Sequence, residues 1–258
     1  KEKRPWHVFG PLTDGQPRDC VDDKKTENGN ELVEPFADDP KMRWEFDDTI
    51  AARFEREARC HIPCYENVID EVIQVLLRDG KPDIKVVDVG CATGFTLIQL
   101  LHRGFKNVHG VDLSAAMLKR AKDNICKEGY GNDILSHLYL SDSSLDLPPA
   151  LGGDCDALIV NWTLHFVPDQ IERRIFLQNM ADKMSNGAIL ILTEKTSQND
   201  ETKDAYYSWK KTQGVSPDEI VTKEARLKGV LEAYDVQWYL SALRECGFCE
   251  ASIFWAKY

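Results

Sequence analysis

The residues of this chain best suited to chemistry sit in short stretches, each at the end of an apolar run. "VVDVGCATGF" (86–95) places Asp88, Gly90, Cys91, Ala92 and Gly94 in one turn. "NVHGVDL" (107–113) ends in Asp112 and Leu113, "LSHLYLSD" (135–142) ends in Asp142 with Ser143 behind it, and "DALIVNW" (156–162) carries Asn161. A buried strand that closes in a glycine turn commonly delivers a nucleotide to the helix that follows. A dinucleotide site would need G-x-G-x-x-G, with glycine at 92 for the pyrophosphate and at 95 for helix packing. The chain has Ala92 and Phe95 instead, and no Gly-Lys-Ser/Thr follows, so the phosphate-cradling loops are excluded.

The pattern that remains, acidic-x-Gly-x-x-x-Gly, suits a nucleoside ligand without phosphate. S-adenosylmethionine (SAM) is such a ligand, with S-adenosylhomocysteine as its spent form. Asp112 lies 22 residues after Gly90, where a carboxylate can accept both ribose hydroxyls. Asp142 and Ser143 are placed to read the adenine edge, and Asn161 falls beside the reacting sulfonium. Ligands of open α/β sheets bind at the carboxyl ends of the strands, where all four positions belong. No metal is expected: Cys60 and Cys64 flank His61, and Cys246 and Cys249 are a CxxC pair, but two pairs in one compact module are missing.

These positions need elements to hold them. "WEFDDTIAARFEREARCHIPCYENVIDEVIQVLL" has apolar residues at helical spacing broken at Pro63, which predicts two helices. Strands are expected at 85–90, 107–113, 135–142, 156–162 and 188–195, with helices between them and Ser114 as one cap. Asn186-Gly187 is read as the stop of the helix before the fifth strand. A helical insertion follows over 196–245, with a capping box in "SPDE" (216–219), and "CEASIFWAKY" reads as a last strand. The fold class is therefore α/β, a doubly wound, mostly parallel sheet, with an N-terminal helical cover and a late helical insertion serving as lid. Residues 1–43 read as a polar extension and 44–258 as one domain.

Net charge is −11 with no long Lys/Arg block, which argues against direct nucleic-acid binding and for a small-molecule acceptor. No apolar run approaches the roughly 20 residues of a membrane span. A cytoplasmic setting is the expectation.

Residues 44–258 resemble the carboxy-SAM synthase family of the tRNA wobble-uridine pathway, within the Rossmann-like class I SAM-dependent methyltransferases. "WEFDDTIAARF", "PCYENVI", "DVGCATG", "NWTLHF", "LTEK" and "GFCEASIFW" carry the likeness, in the family's order and with similar spacing. The resemblance implies ligand contacts at Tyr65, Gly90, Asp112, Asp142 and Asn161, and a homodimer. It also implies an arginine in the late insertion that grips an extra carboxylate; here that place holds Glu224, which would repel one. Arg226, two residues on, faces another side of a helix. His165 stands where the family has glutamine, and a histidine near the sulfonium can serve as general base. The expected chemistry is methyl transfer to oxygen, nitrogen or sulfur, with His165 and then Tyr65 as catalytic residues. Trp44, Trp162, Tyr206, Tyr207, Trp209, Glu224 and Arg226 are the expected acceptor pocket, and Glu194-Lys195 either bears on the acceptor or is a salt-bridged strand end. A carboxy-SAM synthase and a non-catalytic SAM-binding protein stay open beside this reading.

Overall fold

Val-Val-Asp-Val at Val86–Val89 (β1) is buried at all four residues, which only a central strand covered on both faces can be. The structure, a computed structural model, describes residues 44–79, 82–142 and 146–257. The expected extension 1–43 and Ser143 lie outside the described residues. β1 pairs in parallel with Val108–Asp112 (β2) and with Cys155–Asn161 (β4). Leu138–Leu140 (β3) and Met184–Thr193 (β5) complete an all-parallel sheet in the order β3-β2-β1-β4-β5. The strand order reverses between β1 and β4, and the carboxyl ends there open the crevice in which such sheets bind ligands.

Alternate residues face two helical layers. Val87, Val89, Leu158, Val160 and Leu190 pack with helices Gln170–Lys183 (α6) and Val236–Glu245 (α9). Val86, Ala157, Ile159, Ile189 and Ile191 pack on the other face, with Tyr65–Asp79 (α2), Phe95–His102 (α3) and Ala115–Lys127 (α4). Asp48–His61 (α1) lies over the glycine turn: Glu55 accepts from Thr93 Oγ1 at 3.3 Å and from Asn124 Nδ2 at 3.1 Å. α1 ends before Pro63, as expected, and Ser114 caps α4 by accepting from Met117 N–H at 3.1 Å.

Asp200–Thr212 (α7) and Pro217–Leu227 (α8) make up the first part of the late insertion, and Ser216 and Glu219 form the expected capping box. α9 packs instead on the sheet, through Tyr239, Ala242 and Leu243. On the same side Arg173 of α6 is wholly buried. It donates to the Val167 carbonyl at 2.8 Å, the Tyr239 hydroxyl at 2.9 Å and the Glu232 carbonyl at 2.9 Å, so it ties α6 to both loops.

Three expectations about elements change. The third strand is only Leu138–Leu140, because Asn132–Leu135 (α5) folds as a helical turn. Asn186-Gly187 does not stop a helix: α6 ends at Lys183, and the left-handed Gly187 (φ +82°) sits in a bulge of β5 between Met184 and Ile189. The last strand does not form over 249–257. That segment has no alternating burial and no ladder with β5, whose outer side is the sheet edge among the described residues.

Gly90 is where the fold leaves least room. Its φ is +79°, and a Cβ there would lie 2.1 Å from Thr163 Oγ1, the hydroxyl that donates to Val89 O at 3.2 Å and Asn161 O at 2.9 Å. Gly104 shares the left-handed backbone (φ +87°) but has nothing within 4 Å of that position. Gly104→Ala should therefore cost about 1 kcal/mol from backbone strain alone. Gly90→Ala should cost about 3 kcal/mol or more, since a collision adds to the strain. Urea unfolding of the two variants checks the difference.

Candidate active site

A cavity of about 700 Å³ opens over the carboxyl ends of the strands and continues along the outer edge of β5 beneath 251–257. Asp88, Gly90, Cys91, Ala92, Asp112, Leu113, Asp142 and Asn161 all line it. The glycine turn is fastened to β2 by Gly90 and Cys91, whose N–H groups donate to Val111 O at 2.8 and 3.0 Å. Ala92 (φ +46°) and Trp162 (φ +50°) hold left-handed backbone on opposite sides of the switch point. Such strain costs on the order of 1–3 kcal/mol per residue and gathers where ligands are clamped.

Both oxygens of Asp112 are oriented by backbone: Oδ2 accepts Ala92 N–H and Oδ1 accepts Ser114 N–H, each at 2.8 Å. Burial raises its pKa against the pull of these N–H groups. Each oxygen retains a further lone pair for a hydroxyl donor. Asp88 is 1% exposed, and its Oδ1 has no partner. Burial first, then the Asp112 charge, pushes its pKa up to about 8. At the end of β4, Asn161 Oδ1 accepts from Thr193 Oγ1 at 2.7 Å while its buried Nδ2 has no partner. A cavity lined by an orphaned acceptor and an orphaned donor at adjacent strand ends fits a zwitterionic amino-acid ligand, and Asp112 fits its ribose. SAM offers both parts.

His165 and Glu194 form the second feature. His165 Nδ1 lies 2.5 Å from Glu194 Oε2, and both side chains are nearly buried, at 6% and 4% exposure. Glu194 also accepts the N–H groups of Thr163 (3.2 Å), Leu164 (2.6 Å) and His165 (3.0 Å). A carboxylate can only accept, so Nδ1 donates, and the lone pair of the neutral ring lies on Nε2. The short helical turn Leu164–Phe166 is thus built around Glu194. Tyr65 stacks on Phe95 at 5.7 Å and leans on Trp162 at 5.2 Å. Burial pushes its phenol up, so the hydroxyl is a donor rather than a base.

Of the expected acceptor residues, Trp44, Trp162, Tyr206 and Glu224 line the cavity, and three do not. Tyr207 turns its hydroxyl to Glu224, and Trp209 stacks behind Tyr206 at 6.1 Å. Arg226 lies over the Trp44 ring at 5.1 Å, away from the cavity, because α8 presents Ile220, Lys223, Glu224 and Leu227 to it. Gly94 is also corrected: it is the N-terminal cap position of α3, where a Cβ would press on Ala121 at 3.2 Å, and it is not in the cavity wall.

The residues that sequence reasoning missed are Thr163, His61, Glu57, Lys210 and Lys223. Thr163 could have been found in "NWTLHF", as the small residue after a strand end. The others come from three helices whose approach no spacing records.

Residues 86–187 match a methyltransferase domain family. The carboxy-S-adenosyl-L-methionine synthase of Campylobacter hominis is 31% identical over 233 residues, 87% of this chain and 96% of that protein. The synthase of the same name from Wolinella succinogenes is 31% identical over 224 residues, covering 83% and 90%. Among solved structures, the [4+2]-cyclase SpnF aligns with a TM-score of 0.53 at 18% identity, over 82% of this chain and 61% of that one. The YcgJ protein of Bacillus subtilis aligns at 0.52 and 14% identity, over 70% and 68%. The two structures speak for the fold alone. Relatives that are 31% identical over nearly their whole length settle the family: this chain is an enzyme of the SAM-dependent methyltransferase superfamily and belongs to the carboxy-SAM synthase family within it.

Proposed function

We propose that the chain transfers a methyl group from SAM to a small-molecule acceptor held over the strand ends, and the His165–Glu194 pair carries this reading. Asp112 would hold the ribose, and Asp88 and Asn161 the amino-acid end. When bound, SAM supplies a methyl group already activated by positive sulfur. The chain's own residues then have three tasks. Gly90, Ala92 and Trp162 fix the floor, the aromatic wall of Tyr65, Phe95 and Trp162 excludes water, and His165 Nε2 accepts the acceptor's proton while Glu194 steadies the ring. α7 and α8 form the lid over that site. The homodimer and cytoplasmic setting belong to the same proposal.

A second reading, carboxy-SAM synthesis, is favoured by the names of the relatives. Against it stands Glu224, whose carboxylate is engaged by the Tyr207 hydroxyl and by Lys203 Nζ at 3.4 Å. It offers nothing to a substrate carboxylate where an arginine would give a two-pronged grip.

Mass spectrometry of the small molecule released on denaturing the purified protein separates the two. SAM or S-adenosylhomocysteine is the expected result. Carboxy-SAM, heavier by one CO₂ unit, would put the second reading first.

The His165–Glu194 geometry makes its own prediction. Nitrogen-15 NMR should find the proton on Nδ1 of neutral His165. Glu194→Gln should destabilise the fold by about 2–3 kcal/mol, because an amide cannot accept four donors through both atoms. An Nε2–H tautomer would remove the base.

Asp88 gives a pH test. Its pKa is raised in the folded chain from 3.8 to about 8, so within that window the folded form holds a proton that the unfolded form has lost. Stability should fall as pH rises through the window, and Asp88→Asn should flatten that slope. Binding of an ammonium beside Asp88 should release the proton, read at pH 7 by calorimetry in buffers of differing ionisation enthalpy.

A further inference from the structure

Lys195 at the end of β5, Lys210 of α7 and Lys223 of α8 reach the same cavity from three elements. Lys223 Nζ is paired with Glu57 Oε2 at 2.6 Å, and Arg53 shares that carboxylate at 2.7 Å. Neither Lys195 nor Lys210 has a carboxylate within ion-pair distance among the described residues. Both stand against a ring: Lys210 Nζ lies 4.3 Å and Lys195 Nζ 5.5 Å from the Tyr206 centroid. Tyr206 is itself fixed, its hydroxyl donating to His61 O at 2.6 Å. Lys210 is only 6% exposed.

A buried ammonium loses hydration that a ring face only partly replaces, and like charges in low dielectric raise the cost. The effect is visible on the neighbours. Lys210 is pushed down to about 7, by burial first and then by Lys195, Lys223 and Lys203. His61, lining the same wall, is held neutral at about 2, by burial and the same cluster of lysines. Its Nδ1 is buried without a partner, as is Trp44 Nε1, whose ring lies 4.7 Å from Lys223 Nζ. Glu224 acts on Lys195 through space, but its own partners are Tyr207 and Lys203. A cationic corner with two orphaned polar atoms, in which the described residues give Lys195 and Lys210 no carboxylate, is arranged for an anion from outside.

We propose that Lys195, Lys210 and Lys223 seat an oxyanion, a carboxylate or a phosphate, carried by the acceptor, so that the small-molecule substrate of this enzyme is an anion. The proposal rests on the reading of the strand-end cavity as a joint site for SAM and acceptor. It makes the three lysines specificity-determining residues and leaves proton transfer to His165.

The test is calorimetry on the full chain loaded with S-adenosylhomocysteine, titrated with benzoate, phenyl phosphate and the uncharged benzamide. The anions should bind at least about tenfold more tightly than benzamide. The preference should vanish in the double variant Lys195→Met, Lys210→Met and weaken in Lys210→Gln, while S-adenosylhomocysteine binds all forms alike. The variants should unfold at a temperature no lower than the wild type, since they remove uncompensated buried charge. The tighter of the two anions identifies the acidic group. Equal binding of benzamide and both anions, or an anion preference that survives the double variant, overturns the lysine seat alone. Failure of the wild type to bind S-adenosylhomocysteine overturns the cavity reading and this proposal with it.

Discussion

The contact between Gly90 and Thr163 sets the distance between β1 and β4 where the sheet changes direction. Thr163 Oγ1 is aimed at both Val89 O and Asn161 O, and a single added carbon at 90 would collide with it. Everything functional hangs from the two turns that meet there. The turn after β1 carries Cys91 and Ala92 and reaches back to Asp112. The turn after β4 carries Trp162 and His165, and it is fastened from β5 by Glu194. Close approach of two backbones at a switch point is thus the constraint from which the cavity floor, the placing of the Asp112 carboxylate and the candidate base all follow.

The cavity wall is electrically divided. Asp88 and Asp112 stand at the ends of β1 and β2, one of them with an oxygen that no group satisfies. Lys195, Lys210 and Lys223 stand just past the end of β5 and on α7 and α8. Two carboxyls that repel one another favour a positive ligand group, and ammoniums gathered at one wall favour a negative one. A charged cofactor and an anionic acceptor placed between them would each relieve the side it touches. The strain that the folded chain carries at both places is then relieved by the ligands rather than by the protein.

The sheet was legible because its signals are local. "VVDVG", "NVHGVDL" and "DALIVNW" are buried runs ending in residues that line the cavity, and Asp112 could be placed by counting from Gly90. Glycine and asparagine-glycine signals were right about the turn and less so about its setting. Gly187 takes the left-handed backbone such a pair predicts, but as a bulge inside β5 rather than a helix stop. The last strand failed for a different reason. An apolar segment becomes a strand only if an edge accepts it, and pairing is decided between segments, not within one. The acceptor side was least legible of all. Tyr206, Tyr207 and Trp209 are equivalent in the sequence, yet only the first enters the cavity, because the rotation of α7 about its axis depends on how it docks against α1.

Two buried cations in this chain show that the lysine corner is not a shortage the fold could not have met. Arg173 is wholly enclosed, and the fold supplies it with two carbonyls and a tyrosine hydroxyl, with the Tyr234 ring 4.2 Å from the guanidinium carbon. Each of its three nitrogens donates to a partner that joins α6 to α9 or to a loop, and it lies in a packed core. Lys210 is nearly as enclosed and meets two rings, Tyr206 at 4.3 Å and Tyr207 at 5.6 Å. A structural cation is recognised by acceptors that converge on it. A binding cation is recognised by their absence on the side that faces a cavity, and among the described residues Lys195 and Lys210 have that absence where Arg173 does not. The same contrast separates two acidic side chains of the site, Glu194 and Asp88. Glu194 spends its oxygens on three N–H groups and a ring, which is how a carboxylate is used to hold geometry. Asp88 keeps an oxygen in hand beneath the cavity floor, which is how one is used to meet a ligand.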